Sequence, residues 1–292
     1  MNNAFSFIHP VTSFSYYAGV ITFSMLLFHP IFLMTSLAAI TAIIVIHGEG
    51  KRLLKLLPYY VLMGGSVAVL NPLFSHRGRH ILFYFMDQPI TLEAILYGVT
   101  MMLSLLCILL AFVSFQQIVT TDKWMYLFSR VAPRTSLLTS MSIRFVPLFL
   151  RRLEQITTVQ RMKGVSIHEG SLKKRSKDGM LLVRVLLTWS LEEALQTADS
   201  MKARGYGAAK RSSYVIHRMD QRDWYVLGFL IVLGTACVWG WMQGFGVLTI
   251  YPRLESIDFR RGEGISFACY CAFLLTPAVL EGMERRTWKS FE

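Results

Sequence analysis

Charged residues leave long gaps in this chain. No Asp, Glu, Lys or Arg precedes Glu49, and none lies between Glu93 and Asp122, between Asp223 and Arg253, or between Glu263 and Glu281. A helix needs roughly 20 apolar residues to cross a bilayer. Only helices and closed barrels satisfy their backbone polar groups there. These runs lack the alternation of barrel strands, so they predict helices. Six are expected, at about 12–28 and 30–46 with a tight connection at His29-Pro30, then 56–74, 92–119, 224–246 and 264–281. Gly64-Gly65 in the third predicts a kink or a close approach to a neighbour.

The pattern changes between the fourth and fifth runs. Over 135–162, Leu138, Met141, Phe145, Leu148 and Phe149 recur at helical spacing and continue to Ile156 and Val159. Pro147 removes one backbone donor, so this stretch is expected to kink or break into two pieces. Gly164 stops it, and 164–179, rich in Gly, Ser and Lys, reads as an exposed loop. A second long helix is expected from about 179 to 204. Its apolar stripe is Leu187, Leu191, Ala194, Leu195, Ala198 and Met201, opposite Glu192, Glu193, Gln196, Asp199 and Ser200. The expected organisation is therefore all-α: a polytopic membrane protein with about six transmembrane helices and a pair of long amphipathic helices outside the bilayer. Its segments are 1–120, 121–223 and 224–292.

Composition agrees with a membrane chain: 292 residues, 53% of them apolar, with a mean hydropathy of +0.44. Charge sets the orientation. One set of loops holds Lys51, Arg52, Lys55, the 19 Lys and Arg of segment 121–223, and Arg285, Arg286 and Lys289. The other set holds Arg77, Arg79, Arg253, Arg260 and Arg261. By the positive-inside rule both termini and the central segment are expected in the cytoplasm. The first run has neither a basic leader nor a small-residue cleavage site, so it reads as a retained span. Against its 19 cations the central segment carries 9 Asp and Glu, within a chain of net charge +12. Attraction to anionic lipid, at about 1 kcal/mol per basic residue near the surface, accounts for most of these cations. The segment contains no recognisable nucleic-acid module, so no nucleic-acid partner is expected.

Several chemistries find no support. Cys107, Cys237, Cys269 and Cys271 all fall in apolar runs and read as small buried hydrophobes. They suggest neither a disulfide framework nor a zinc site. His76 and His80 read as loop histidines rather than metal ligands. There is no phosphate-binding G-x-x-x-x-G-K-[ST] run, and Gly48-Glu49-Gly50-Lys51 is a charged turn, so the chain itself is not expected to hydrolyse ATP. Ionisable residues are nearly absent from the span interiors, whereas ion-coupled pathways are usually lined by acids, histidines or lysines. Glu192-Glu193 is the nearest thing to an acid cluster, on a helix that reads as packing. No catalytic residue, metal or cofactor is expected.

The two long amphipathic helices end alike. One closes Gln160-Arg161-Met162-Lys163-Gly164-Val165 and the other Met201-Lys202-Ala203-Arg204-Gly205-Tyr206. A cation in the last turn complements the helix dipole, and a glycine just beyond it supplies a left-handed cap. Capping alone accounts for either end taken singly. The recurrence on two amphipathic helices adds a second reading, in which a cationic tip enters a groove of a soluble partner.

These residues belong to longer stretches that resemble a known family. His29-Pro30-Ile31-Phe32-Leu33, Asn71-Pro72-Leu73-Phe74, Ile90-Thr91-Leu92-Glu93-Ala94-Ile95-Leu96-Tyr97-Gly98 and Ile143-Arg144-Phe145-Val146-Pro147 all fit it. Most specific are Ser190-Leu191-Glu192-Glu193-Ala194 and the run Ala198-Asp199-Ser200-Met201-Lys202-Ala203-Arg204-Gly205-Tyr206-Gly207. The chain resembles the transmembrane T component of energy-coupling factor (ECF) transporters, with its cobalt-transport relatives.

The resemblance implies a non-catalytic coupling subunit of an ATP-driven importer in the cell membrane. In that family two Ala-Arg-Gly helix ends bind two cytosolic ABC ATPases. The coupling helices pass ATPase motion to a membrane S component that holds a vitamin or metal ion. By match, Arg204 with Ala203 and Gly205 would enter one ATPase, and Lys163 with Met162 and Gly164 the other. Leu187, Leu191, Leu195, Ala198 and Met201 would form the apolar face of the coupling helix. Met162 and Lys163 depart from the family pattern, since lysine keeps the charge but loses the bidentate fork. A stand-alone permease is the alternative, and a membrane enzyme such as a lipid transferase ranks last.

Overall fold

A computed structural model describes residues 8–75, 78, 80–85, 88–165, 170–208, 219–250 and 262–289. His76, Arg77, Arg79, Arg253, Arg260 and Arg261 lie outside the described residues. The chain divides into two compact units, one made of 1–124 and 217–292, the other of 125–216. Among the described residues, the regular structure is helical apart from one two-stranded hairpin.

The first unit contains α1 (Pro10–Leu26), α2 (Pro30–Ile46), α3 (Gly50–Phe74), the hairpin β1 (Ile81–Phe85) and β2 (Gln88–Thr91), α4 (Leu92–Ile118), α8 (Gln221–Met242) and α9 (Glu263–Lys289). The remaining helices are α5 (Thr121–Val131), where the two units join, and α6 (Pro133–Met162) and α7 (Leu172–Ala203) in the second unit. Of the helices in the first unit, α3, α4, α8 and α9 are long and apolar enough to cross a membrane. Helices α1 and α2 have 17 residues each.

Two His-Pro pairs start α1 and α2 in the same way. His9 Nδ1 accepts from the Val11 amide and His29 Nδ1 from the Ile31 amide, each at 3.3 Å. The proline that follows occupies the first turn, where its missing N–H is not needed. Helix α3 starts at Gly50, earlier than the apolar run, because Lys51, Arg52 and Lys55 are good helix formers. Helix α9 continues past Glu281 to Lys289. Helix α8 stops at Met242, where Gly244 at φ +84° turns the chain. The apolar run Ile81–Phe85 forms a strand that pairs antiparallel with Gln88–Thr91, a hairpin the sequence reading did not include.

Hydrogen bonds fix how these helices run. Tyr17 and Ser114 hydroxyls meet at 2.7 Å, and Ser104 Oγ donates to the Ser24 carbonyl at 2.7 Å, so α1 and α4 are antiparallel. Tyr16 donates to the Leu274 carbonyl at 2.9 Å, and Ser36 bonds the Tyr270 hydroxyl, bringing α1 and α2 onto α9. Aromatic rings fill the centre, with Tyr16 stacked on Phe273 at 5.6 Å and Phe32 edge-on to Phe267 at 5.1 Å. At one end His47 Nε2 and a Glu281 carboxylate oxygen, both buried, lie 3.1 Å apart, an ion pair when the imidazole is protonated. Near α5, Lys123 Nζ donates to the Ile8 carbonyl at 3.5 Å, and burial pushes its pKa down against the opposing pull of Asp223.

Helices α3 and α4 touch through small residues. In lipid, helices gain little from apolar burial against each other, so close backbone contact carries the packing. A Cβ on Gly98 would stand 2.9 Å from the Ala68 carbonyl oxygen and 3.3 Å from its Cα. Asn71 Nδ2 closes the same seam by donating to the Ala94 carbonyl at 2.9 Å. Of the two adjacent glycines in α3, Gly64 faces Met102 and Leu106, whereas nothing lies within 4 Å of a Cβ on Gly65. Gly98→Ala is therefore expected to cost about 1–3 kcal/mol by overpacking against backbone. Gly65→Ala is expected to be neutral or to gain up to about 1 kcal/mol in helix propensity. Thermal unfolding in detergent, followed by monodisperse gel-filtration signal, checks the contrast: a lower midpoint for Gly98→Ala and none for Gly65→Ala.

Candidate partner-docking site

The second unit is built on α6 and α7. Helix α6 is unbroken over its 30 residues although Pro147 lies inside it, which corrects the expected break. Proline deletes a single amide donor, and the turns on either side keep their own bonds. Helix α7 begins at Leu172, not near 179, so the second half of the expected loop is helix. Ser171 caps it by accepting from the Lys174 amide at 3.4 Å. Lys173, Lys174, Arg175 and Lys177 then favour helix strongly enough to carry Gly179, which costs about 1 kcal/mol within a helix.

The two helices run antiparallel and meet around Trp189. Its ring packs edge-on to Phe149 at 5.8 Å, and the Arg152 guanidinium lies over it at 4.8 Å. Arg152 also donates to Gln155 Oε1 at 2.9 Å. On one side of this contact, Ile156 and Val159 of α6 share a hollow with Val185 of α7. On the other side, Met141 and Arg144 of α6 share a groove with Glu193 and Arg204 of α7. The C-terminal ends of α6 and α7 consequently lie at opposite ends of the pair. With 1.5 Å of rise per residue, they are on the order of 30–40 Å apart.

Both ends adopt one geometry. At the end of α6, the Gly164 amide bonds the Arg161 carbonyl and the Val165 amide bonds the Gln160 carbonyl, with Gly164 at φ +81°. At the end of α7, the Gly205 amide bonds the Lys202 carbonyl and the Tyr206 amide the Met201 carbonyl, with Gly205 at φ +80°. These are Schellman caps, and the left-handed position explains each glycine. The same cap closes α2, where Gly48 follows His47, and α8, where Gly244 follows Gln243. The cap alone is therefore not distinctive. What sets α6 and α7 apart is the cation at the capping position, Lys163 or Arg204, with an exposed side chain. Neither makes a side-chain hydrogen bond or ion pair among the described residues. Met162, Gly164, Ala203 and Gly205 are exposed around them.

The apolar stripe of α7 does not face α6. Leu187, Leu191 and Leu195 are 57%, 68% and 69% exposed, and Ala198 is exposed as well. Met201 alone among the five turns partly inward and lines the groove. The face toward α6 consists of Val185, Trp189, Glu193, Thr197, Ser200 and Arg204. Apolar periodicity missed it because four of those six side chains are polar. The signal that could have found it is the spacing of Leu182, Trp189, Glu193 and Ser200 on one helical face.

Other residues singled out by the sequence sit apart from this site. Cys107 and Cys237 are buried, and the four cysteines are unpaired by disulfides. His80 donates its amide to Glu93, which is fully buried at the start of α4. Among the described residues no group of three or more His, Cys, Asp or Glu could hold a metal ion.

Comparison with known proteins places the chain. Curated relatives include the energy-coupling factor transporter transmembrane protein EcfT of Lacticaseibacillus paracasei, 34% identical over 99 residues, which are 34% of this chain and 38% of that protein. The protein of the same name from Lactobacillus helveticus is 32% identical over 99 residues, 34% of this chain and 36% of its own length. That of Staphylococcus aureus is 26% identical over 170 residues, 54% of this chain and 63% of its own. The chain thus spans under two fifths of the first two relatives it matches. A family model described as cobalt transport protein, CbiQ, matches residues 5–215, a stretch that includes α1–α7 and both cationic helix ends. With most of its length matched by that model and its apolar helices fit to cross a membrane, the chain belongs to the CbiQ family of multi-pass membrane proteins.

Proposed function

We propose that this chain is the transmembrane coupling subunit of an ECF-type ATP-driven importer. One observation carries the reading: two identically capped, exposed cationic ends stand at opposite ends of one antiparallel helix pair. Such a pair can engage two soluble subunits at once and make each move with the other. The two partners are cytosolic ABC ATPases, held at Arg204 with Ala203 and Gly205 and at Lys163 with Met162 and Gly164. Family membership and the EcfT relatives support this assignment.

In this reading 1–120 and 224–292 form the membrane domain, and 121–223 forms the cytoplasmic coupling domain, with both termini cytoplasmic. Leu187, Leu191, Leu195, Ala198 and Met201 offer an apolar face to a membrane-embedded S component, which binds the vitamin or metal ion. The chain is non-catalytic and hydrolyses no ATP itself. The test is purification in mild detergent. ATPase activity should co-elute with the tagged chain and disappear when the soluble subunits are stripped by high salt. A chain that moves substrate into vesicles by itself would instead be a permease.

The unequal tips make a separate prediction. A guanidinium binds a carboxylate through two parallel bonds where an ammonium offers a point charge. Lys163→Arg is expected to tighten binding of the ATPase at that end by about threefold to tenfold, measured by titrating the soluble subunit onto the chain in nanodiscs. An unchanged or weaker affinity would mean that this partner groove is shaped for lysine.

A further inference from the structure

The groove between the first half of α6 and the second half of α7 has a volume of about 580 Å³. Met141, Phe145 and Met201 line it as half-buried apolar side chains. Arg144 and Arg204 line it as exposed guanidiniums, Arg144 five residues before Phe149 on α6 and Arg204 fifteen residues after Trp189 on α7. Because the helices are antiparallel, one from each reaches the same hollow. Two other arginines of this unit are already engaged. Arg152 stacks on Trp189 and bonds Gln155, and Arg130 bonds the Tyr126 hydroxyl at 2.8 Å. Arg144 and Arg204 make no side-chain hydrogen bond or ion pair among the described residues. Glu193 lines the same groove but lies beyond ion-pair distance of either, so the two cations outnumber one acid and none is neutralised by contact.

We propose that Arg144 is a second anchoring residue for the soluble partner at the Arg204 end, and that the groove receives a segment presenting a carboxylate beside a large apolar side chain. This rests on the reading of Arg204 as a docking tip. Each guanidinium can fork onto a carboxylate, and the methionine and phenylalanine side chains can seat the apolar neighbour. Ser140, Gln196 and Ser200 add hydrogen-bonding groups that a peptide backbone uses and an acyl chain does not. The hollow on the Lys163 side has no such pair, since its one guanidinium, Arg152, is held against Trp189. The two ends therefore recognise different surfaces, and Arg144 marks the one with the greater demand for acid.

The experiment titrates the co-expressed ATPase subunits onto the full chain held in phosphatidylcholine nanodiscs. Arg144→Gln is expected to weaken binding about tenfold and Arg204→Gln at least as much. The double variant is expected to lose less than the product of the two, because both residues grip one segment. Arg144→Lys keeps the charge and the stem and is expected to lose about threefold. It keeps the test readable if Arg144→Gln fails to fold by gel filtration and circular dichroism. Wild-type affinity in both Arg144 variants, with Arg204→Gln impaired, overturns the proposal and leaves the docking tip standing. Wild-type affinity in Arg204→Gln overturns the underlying reading as well. Loss of co-purifying anionic phospholipid from Arg144→Gln with ATPase affinity intact overturns the proposal in favour of a lipid site.

Discussion

Arg204→Glu is expected to abolish stable association with the ATPase at that end and, with it, substrate uptake. Arg204 is exposed at the capping position of α7, with no partner among the described residues. Its charge therefore contributes little to the fold. Reversing it places an anion at a helix C-terminus, which costs about 0.3–1 kcal/mol. That is too little to undo a 32-residue helix anchored through Trp189. At a partner groove the same change removes a charge-assisted fork and adds repulsion. Truncating one side of such a pair costs roughly 2–5 kcal/mol, equivalent to tens to thousands of times weaker binding. Lys177→Glu changes charge as much within the basic segment but lies on the exposed start of α7, 27 residues before Arg204 and so roughly 40 Å from that tip along the helix. It is expected to leave binding within about twofold. Equal losses in both variants would mean that general attraction to anionic surfaces, not a docking tip, holds the partner. Surface plasmon resonance of the ATPase subunits on nanodisc-held chain makes the comparison.

The double change Leu191→Asp with Leu195→Asp is expected to stop uptake while leaving ATPase association near normal. These side chains, with Leu187, lie four residues apart along one helical face, and α6 does not cover them. Burying one leucine gains about 1.5–3 kcal/mol. Exchanging two for carboxylates removes that gain twice and adds the cost of desolvating charge. If this face meets an apolar surface of the S component, the contact is lost and ATP hydrolysis is uncoupled from transport. The cationic tips lie at the helix ends and keep their caps, so soluble subunits should still bind. Measured side by side, substrate accumulation should fall to background while co-purified ATPase stays within about twofold. Normal accumulation would show that the face carries no coupling contact.

Much of the membrane part was legible because a bilayer leaves few options. A run without charge from the N-terminus to Glu49 had to become helices, and His29-Pro30 marked where the chain turns between α1 and α2. The ends of α6 and α7 were legible through Gly164 and Gly205, since only a left-handed residue closes a helix in that way. The interior of the α6–α7 pair was harder to read. Periodicity picks out leucines, and it found the exposed stripe Leu187–Leu191–Leu195. The contact itself is made by Trp189 between Phe149 and Arg152, on a face that also carries Glu193, Ser200 and Arg204. Charge on that face made it look solvated. Pro147 and the Lys-rich start of α7 misled in the opposite sense. Each looked like an interruption, yet one lost donor or one Gly179 costs far less than the surrounding turns contribute. Arg144 sits in the Ile143–Pro147 stretch that fits the family, but its place in one groove with Arg204 depends on the antiparallel pairing of α6 and α7, which no local pattern encodes.

The most direct test of the account is the composition of the intact complex. Native mass spectrometry of the affinity-purified chain in mild detergent should find one copy of it with two ABC ATPase subunits and one further small membrane protein, and Arg204→Glu should lose ATPase mass from that assembly. A chain that flies alone or only with copies of itself, and that moves substrate in that state, would contradict the account.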